Sequence, residues 1–162
     1  MSFRNSMLLV LGVLLSMACS HKEVKPEREA PPQLDSDPMS FNSEGSDSKK
    51  IEGLFTIHFN YDNASLDKET KDLLAKNAEW IKAHPKVKMQ IEGHCDQRGT
   101  TEYNLALGER RARAAMSYLT GLGIAKDRVS VISFGKEKPL VNGETEKDYA
   151  QNRRDNFVPI KN

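Results

Sequence analysis

The hydrophobic pattern of the second two thirds of the chain switches between strand and helix periods. Residues 54–59 alternate, which predicts a strand with its two phenylalanines and Ile57 facing inward. Apolar residues then recur at helical spacing over about 67–84, and Pro85 is expected to end that helix. Clean alternation over residues 87–92 predicts a second, half-buried strand.

The rest of the pattern adds two helices and two strands. A long helix is predicted over about 101–122 and a short one over 146–152, with strands over 129–134 and 154–160. Pro159 cannot donate a backbone hydrogen bond and therefore suits an edge strand. The order β-α-β-α-β-α-β indicates an α+β fold built as a two-layer α/β sandwich. Strands joined through a helix are compatible with parallel, right-handed crossovers.

The first 18 residues are expected to be a signal peptide. Their apolar run over residues 7–17 is about half as long as the roughly 20 residues that a bilayer span requires. Small residues stand near its end, as at a signal-peptide cleavage site. An N-terminal anchor that is never cleaved is the alternative.

The sequence around Cys19 resembles the lipobox of bacterial lipoprotein precursors. The run is Leu14-Leu-Ser-Met-Ala-Cys19, with Ser16 at a position where leucine is usual. The resemblance implies that Cys19 carries acyl chains such as palmitate, which anchor a protein through about 0.8 kcal/mol for each buried methylene. Ser20, in place of aspartate, implies export to the outer membrane, with the protein lipid-anchored on the periplasmic face.

Residues 19–50 have the composition of a disordered linker between the lipid and a domain at 51–162. Prolines lie among serines and acidic residues there, and large apolar residues are few. Such a segment cannot bury enough surface to offset its ordering entropy. The only other cysteine is Cys95, so with Cys19 acylated no intramolecular disulfide is available and the fold must depend on its core.

Charge and composition narrow the class of function. The 162-residue chain carries 24 basic and 23 acidic residues, for a net charge of +1, and 38% of its residues are hydrophobic. This composition is typical of a globular protein. With a balance so close to neutral, electrostatics alone suggest neither nucleic acid nor an acidic surface as a partner, and we expect no nucleic acid.

The candidate chemistry lies in the loop after the second strand and in the helix that follows it. Asp96 stands in a glycine-bounded loop, and Asn104, Leu107 and Arg111 are spaced i, i+3, i+7 along one stripe of the helix. A guanidinium grips a carboxylate through two parallel hydrogen bonds, whereas a carboxylate accepts hydrogen bonds from an ammonium. Asp96 and Arg111 therefore suit a small ligand that carries both an amine and a carboxylate. The alternative is a structural ion pair between them that pins the loop to the helix.

The neighbouring residues His94, Cys95 and Asp96 raise a second possibility, a cysteine hydrolase or a metal site. Residues adjacent in sequence rarely converge as nucleophile, base and orienting group, and a metal site needs three or four converging ligands. We therefore favour a small, semi-buried role for Cys95 and expect no catalytic residue, metal or cofactor. A wall-modifying enzyme or metal-binding envelope protein using these three residues is the alternative function.

Residues 54–160 resemble the OmpA-like peptidoglycan-binding domain and, within that family, the lipoproteins of the Tol–Pal system. The resemblance implies the mixed sheet of the OmpA C-terminal domain. The motifs that carry it match in order and spacing, and they are Phe59-Asn-Tyr-Asp62, Gly93-His-Cys-Asp-Gln-Arg-Gly99, Glu102-Tyr-Asn-Leu-Ala-Leu-Gly-Glu-Arg-Arg-Ala112, Ser133-Phe-Gly-Lys-Glu-Lys-Pro139 and Asn152-Arg-Arg154.

The resemblance implies a protein that is not an enzyme and that binds the meso-diaminopimelate of the peptidoglycan stem peptide, tethering the outer membrane to the cell wall. Carried over by motif, Asp96 would bind the ammonium and Arg111 the carboxylate at the side-chain end of that residue. The other ligand-binding residues implied are Tyr61, Asp62, Asn104, Leu107 and Arg153. The implied partners are peptidoglycan and the periplasmic propeller protein of the Tol system, with roles in envelope integrity and cell division.

Two departures from the family pattern bear on these expectations. Asp155-Asn156 stands where the family usually has a small or apolar residue, which affects the expected register of the last strand, and Gln97 replaces a loop acid. A flagellar-motor stator protein shares this domain. That class requires a spanning helix of about 20 apolar residues, longer than the run at 7–17.

Overall fold

The computed structural model describes residues 44–161, without the side chain of Lys161. The expected signal peptide, the lipidation site Cys19 and the linker up to residue 43 lie outside the described residues. Within the described part, no helix is long and apolar enough to cross a membrane. The elements are β1 (Ile57–His58), α1 (Lys68–Ala83), β2 (Val87–His94), α2 (Thr101–Gly121), β3 (Val129–Gly135), α3 (Glu146–Asn152) and β4 (Arg154–Lys161), with short 3-10 helices at Ser46–Ser48 and Lys126–Arg128.

The four strands form one mixed sheet in the order β1-β4-β2-β3. β2 and β3 are parallel, and β4 is antiparallel to both of its neighbours. The core between the sheet and the helices α1 and α2 contains Leu74, Ile91, Leu119 and Phe157, all with no exposed surface. This arrangement confirms the predicted α+β class and the two-layer sandwich.

Side-chain caps fix where the two long helices begin. The Asp67 carboxylate accepts the backbone N–H of Thr70 at 2.8 Å, and the Thr100 hydroxyl accepts that of Tyr103 at 3.2 Å. Both helices therefore begin within one residue of the predicted positions.

The first strand is much shorter than predicted. Only Ile57–His58 pairs, opposite Asp155 and Arg154, because the backbone of Phe55 is bonded elsewhere. Its N–H donates to Oδ1 of Asn77 at 2.8 Å, and its carbonyl accepts from Nδ2 of Asn77 at 2.7 Å. A buried asparagine of α1 thus takes the place of a neighbouring strand.

The last strand lies inside the sheet, although Pro159 suggested an edge. β4 pairs with β2 from Asp155 to Lys161, so that Pro159 lies opposite Met89. On the other side β1 reaches only Arg154 and Asp155. The stretch around Pro159 therefore has one strand neighbour instead of two, which is where a missing backbone donor is tolerated.

Residues 46–48, assigned to the linker from the sequence, form a 3-10 helix that packs on β4. The Ser46 hydroxyl accepts the backbone N–H of Phe157 at 3.0 Å. Asp47 forms an ion pair with Arg154, with 3.1 Å between Oδ2 and Nη2. These contacts hold the segment before the first strand against the central strand of the sheet.

Two glycines bring α2 close to β2. A side chain on Gly93 would collide with the backbone of Gly108, and a side chain on Gly108 would collide with Ser133. The first half of α2 therefore lies directly on the carboxyl end of β2. This close approach positions the loop that joins them.

Candidate functional site

A small cleft opens where the β1–α1 loop meets the β2–α2 loop. Its volume is about 180 Å³, well above the roughly 10–15 Å³ that one water molecule needs and thus enough for part of a small ligand. All seven residues predicted for ligand binding line it, namely Tyr61, Asp62, Asp96, Asn104, Leu107, Arg111 and Arg153. Four further lining residues were not predicted, and these are Cys95, Arg98, Gly99 and Tyr103.

A larger cavity, of about 570 Å³, lies beside β1 and shares no residue with this cleft. Its walls include the apolar side chains of Ile51, Leu54 and Leu140. None of the seven predicted residues reaches it. The convergence of predicted residues therefore makes the smaller cleft the candidate site.

Arg111 is fully buried, and its guanidinium is bonded mainly to backbone carbonyls. Nε donates to the carbonyl of Asn63 at 2.7 Å and Nη2 to that of Asn60 at 3.0 Å, both in the β1–α1 loop. Nη1 donates to the carbonyl of His94 at 3.2 Å and to Sγ of Cys95 at 3.6 Å. Burial lowers the pKa of Arg111 from its ordinary value. One side chain thus joins the two loops that form the cleft.

No ion pair joins Asp96 and Arg111 within the described residues, so the structural pairing considered as an alternative is not formed there. A guanidinium has five N–H groups. The four contacts of Arg111 leave one of them, on Nη2, without an acceptor in the described part of the chain. A bidentate grip on a carboxylate would require Arg111 to release a loop carbonyl.

Asp96 is bound by two arginines. The backbone N–H and Nε of Arg98 both donate to Oδ1 at 3.2 Å, and its Nη2 donates to Oδ2 at 2.5 Å. Nη1 of Arg153 also donates to Oδ2, at 3.2 Å. Since a carboxylate accepts about four hydrogen bonds, its acceptor positions are all taken. Burial raises the pKa of Asp96, but the hydrogen bonds from Arg98 and Arg153 outweigh it and the pKa lies below its ordinary value.

The two arginines differ in exposure. The side chain of Arg153 is 7% exposed, whereas that of Arg98 is 33% exposed. The guanidinium carbon of Arg98 lies 4.0 Å from the ring centroid of Tyr61 and 4.3 Å from that of Tyr149. Arg98 is therefore the outer wall of the cleft and covers Asp96 from the solvent side.

Asn104 and Leu107, both in α2, contribute to the cleft in different ways. Nδ2 of Asn104 donates to the carbonyl of Arg98 at 2.8 Å and to that of Thr100 at 3.0 Å, which holds the β2–α2 loop on the start of α2. Leu107 is 6% exposed and supplies apolar surface. Asn104 is thus a support for the loop, and Leu107 is a wall.

The opposite wall comes from the β1–α1 loop. Asp62 has a left-handed backbone, with φ of 49°, and its carboxylate accepts a hydrogen bond from the Tyr103 hydroxyl. This contact joins the loop to the first turn of α2. Tyr61 is 60% exposed at the mouth of the cleft.

His94, Cys95 and Asp96 have separate partners. The ring of His94 stacks on that of Phe134, with 5.6 Å between centroids. Burial raises the pKa of the Cys95 thiol to about 11, and the thiol donates to the carbonyl of Asn104 at 3.4 Å. At neutral pH it is therefore a protonated thiol, and it is buried, not semi-buried. No group of residues able to hold a metal ion occurs in the described part of the chain.

The sequence contains a turn pattern that could have identified Arg98 as a site residue. Arg98 was not predicted because an arginine in a loop is usually expected to be exposed. The backbone N–H of Arg98 bonds the Asp96 carboxylate two residues earlier, which is an Asx turn. Aspartate followed two residues later by arginine and then by Gly99, whose φ is 89°, is a recognisable turn pattern. Tyr103 offered no comparable signal, because its contact with Asp62 depends on the distant β1–α1 loop.

Comparison with known proteins shows which family has this architecture. Residues 58–153 match the OmpA family. A peptidoglycan-associated lipoprotein of Pasteurella multocida is 42% identical over 61% of this chain and 66% of the relative, just under two thirds of its length. One of the same name from Mesorhizobium japonicum is 32% identical over 93% of this chain and 89% of the relative. The crystal structure of the peptidoglycan-associated lipoprotein from Burkholderia pseudomallei has a TM-score of 0.63 at 40% identity, covering 65% of this chain and 89% of that one.

The sheet order, the two packed helices and the cleft between the loops define an OmpA-like domain, and the chain belongs to the OmpA family. The relatives compared here carry the name of a peptidoglycan-associated lipoprotein, which is the name of a wall-associated protein and not of an enzyme. The resemblance found in the sequence is thereby confirmed.

Replacing Arg111 by alanine is expected to destabilise the domain. The carbonyls of Asn60, Asn63 and His94 would lose their donor, and a buried group left unpaired costs about 1–3 kcal/mol. The free energy of unfolding should fall by about 3 kcal/mol, measured by urea denaturation followed by circular dichroism. Arg110→Ala removes the exposed neighbouring guanidinium and should change it by less than about 0.5 kcal/mol. Equal stability of the two variants would contradict the role assigned to Arg111.

Proposed function

We propose that the chain is a peptidoglycan-binding protein of the bacterial cell envelope and that its cleft holds the diaminopimelate of the stem peptide. The observation that carries this proposal is the convergence of all seven predicted residues on one cavity of about 180 Å³. The names of the relatives support the same ligand class. The binding is non-covalent and tethers the outer membrane to the wall.

Opposite charges on two elements make the cleft complementary to a zwitterion. Asp96 comes from the β2–α2 loop and Arg111 from α2, and both line the cavity. Diaminopimelate carries an ammonium and a carboxylate on one carbon at its side-chain end, whereas lysine has the ammonium alone. In this proposal Asp96 binds the ammonium, Arg111 binds the carboxylate, and Leu107 packs on the methylene chain.

Binding of an ammonium requires a rearrangement at Asp96. Because the acceptor positions of this carboxylate are taken, the ligand must replace a donor. The side chain of Arg98 is the more exposed of the two donors. We therefore place the incoming ammonium where the Arg98 guanidinium now lies, while Arg153 keeps its contact.

Asp96→Asn should weaken binding to diaminopimelate-type sacculi at least about tenfold. An amide cannot supply the negative charge, and a hydrogen bond to a charged group contributes about 1.5–3 kcal/mol. Co-sedimentation of the full-length protein with purified sacculi measures the dissociation constant. The control is Asp127→Asn, which changes an exposed acid in the 3-10 helix Lys126–Arg128.

Sacculi that contain lysine in place of diaminopimelate should bind the wild-type protein weakly, since the second carboxylate is missing. Wild-type affinity retained by a folded Asp96→Asn variant would refute the site. Release of soluble wall fragments during incubation would instead indicate an enzyme.

Arg98→Ala should increase the contribution of the ligand's ammonium to binding, because an internal competitor for Asp96 is removed. Two soluble ligands test this, a diaminopimelate-containing peptide and the same peptide with hydrogen in place of that ammonium. The ratio of their dissociation constants should grow several-fold in Arg98→Ala. Arg113→Ala is the control, since that guanidinium pairs with Glu109 on the exposed face of α2. An unchanged ratio would show that Arg98 does not compete with the ligand.

Anchoring and assembly complete the proposal and rest on the sequence resemblance. Acyl chains on Cys19 would hold the protein on the periplasmic face of the outer membrane, beside a propeller protein of the Tol system. Cys19→Ala should move the protein from the membrane to the soluble fraction of disrupted cells, whereas Cys95→Ala should leave it in the membrane. Cross-linking in intact wild-type cells should recover the propeller protein. Membrane retention of Cys19→Ala would contradict the lipid anchor.

A further inference from the structure

Asp155 is a buried acid that the proposed site does not use. It lies in β4 between Ile57 of β1 and Gly93 of β2. Its exposed fraction is 0%, and neither carboxyl oxygen has a hydrogen-bond partner within the described residues. Burying a carboxylate without a donor is costly. A buried acid of this kind is expected either to be protonated or to be stabilised as a carboxylate by a nearby positive charge.

The geometry of α2 brings the positive charge of Arg111 near Asp155. Gly93, which lies opposite Asp155, packs against Gly108, one turn before Arg111 on α2. Nη1 of Arg111 also donates to the carbonyl of His94, the residue next to Gly93.

Burial raises the pKa of Asp155 well above its ordinary value, and the attraction of Arg111 opposes that rise. In return Asp155 partly offsets the lowering of the pKa of Arg111 by burial. The two side chains form no hydrogen bond, since the donors of Arg111 go to backbone carbonyls and to Cys95. Their interaction acts through space in the low-dielectric interior, where charges interact strongly.

Only one member of this pair faces the cleft where a ligand would bind. Arg111 lines the cleft, and Asp155 does not. The charge of Asp155 therefore influences a ligand mainly through the guanidinium. An ionised Asp155 offsets the positive charge that Arg111 presents to the cleft, and a protonated Asp155 leaves that charge available.

We propose that Asp155 is a positioning residue for Arg111, and that a ligand carboxylate enters the cleft together with one proton, which moves from the solvent to the Asp155 carboxylate. The inference rests on the proposed function of the cleft. A bound carboxylate shares the charge of Arg111 and repels a negative Asp155, so binding favours the protonated acid. By linkage, the proton favours binding by the same factor.

The sign of the pH dependence follows from this linkage. Ligand binding raises the proton affinity of Asp155, so the bound protein loses that proton at a higher pH than the free protein. Affinity is therefore greatest at low pH, where Asp155 is neutral in both states. It falls by up to about tenfold per pH unit between the two titration points and then levels off.

Other titratable groups around Asp155 come from every element packed near it. His58 in β1 and Glu92 and His94 in β2 neighbour its strand partners and alternate to the opposite face of the sheet. The pKa of His58 is lowered by burial, and that of Asp96 lies below its ordinary value, whereas the Cys95 thiol has a pKa of about 11. The other charged groups near the cleft and the adjoining strand include the arginines Arg98, Arg111, Arg153 and Arg154 and the acids Asp47, Asp62 and Glu146. A histidine contribution is separated from that of Asp155 by substituting Asp155 itself.

Calorimetric titration of the full-length protein with a soluble diaminopimelate-containing peptide tests the proposal. The dissociation constant is measured from about pH 5.5 to pH 8.5, in two buffers of different ionisation enthalpy, which gives the number of protons taken up. Wild type should take up protons and lose affinity as the pH rises. Asp155→Asn, which resembles the protonated acid, should keep the low-pH affinity and lose that proton uptake. Asp127→Asn should behave as wild type.

The outcomes are distinguishable. A merely structural Asp155 would change stability and leave the proton count of Asp155→Asn equal to that of wild type, which would overturn this inference alone. Absence of any binding by wild type would overturn the proposed function and this inference with it. Should Asp155→Asn fail to fold, Asp155→Ala, which also removes the titrating carboxyl group, replaces it, and zero proton uptake by wild type across the pH range refutes the coupling in either case.

Discussion

The buried guanidinium of Arg111 is the interaction on which the cleft depends. The β1–α1 loop and the end of β2 bring their carbonyl groups to one side chain. A planar fork with donors in fixed directions can satisfy several carbonyls at once, which a lysine ammonium with three rotatable donors does less well. In the proposed function, recognition and architecture therefore reside in the same residue. The close approach of Gly93 and Gly108 places α2 where that side chain can reach both loops.

The charged side chains that line the cleft are already paired with other groups of the protein. Asp96 is saturated by Arg98 and Arg153, and Arg98 is in turn held between two tyrosine rings. A ligand entering such a site gains only the difference between its own contacts and the internal contacts that it replaces. This arrangement disfavours simple cations and simple anions, since neither engages both charged walls, and it thereby favours selectivity over raw affinity.

Features that depend on local sequence patterns were predicted well, whereas features that depend on contacts between residues remote in sequence were not. Helical periodicity, together with Pro85 for α1, predicted the approximate ends of α1 and α2, and the i, i+3, i+7 spacing predicted that Asn104, Leu107 and Arg111 share one face. The length of β1 was not predictable, because its alternation is interrupted by Asn77, a side chain from another element. The burial of Asp155 was equally hidden, since it depends on the register of β4 between two partners that are remote in sequence.

The place of β4 in the sheet has a consequence for the growing chain. Among the described strands β4 is synthesised last, yet it joins β1 to the rest of the sheet, and residues 46–48 pack on it. Until residues 154–161 leave the ribosome, β1 has no neighbouring strand and β2 is paired on one side only. A domain whose sheet closes only when β4 is present stays open while the earlier strands are synthesised. That property would suit the export that the predicted signal peptide implies.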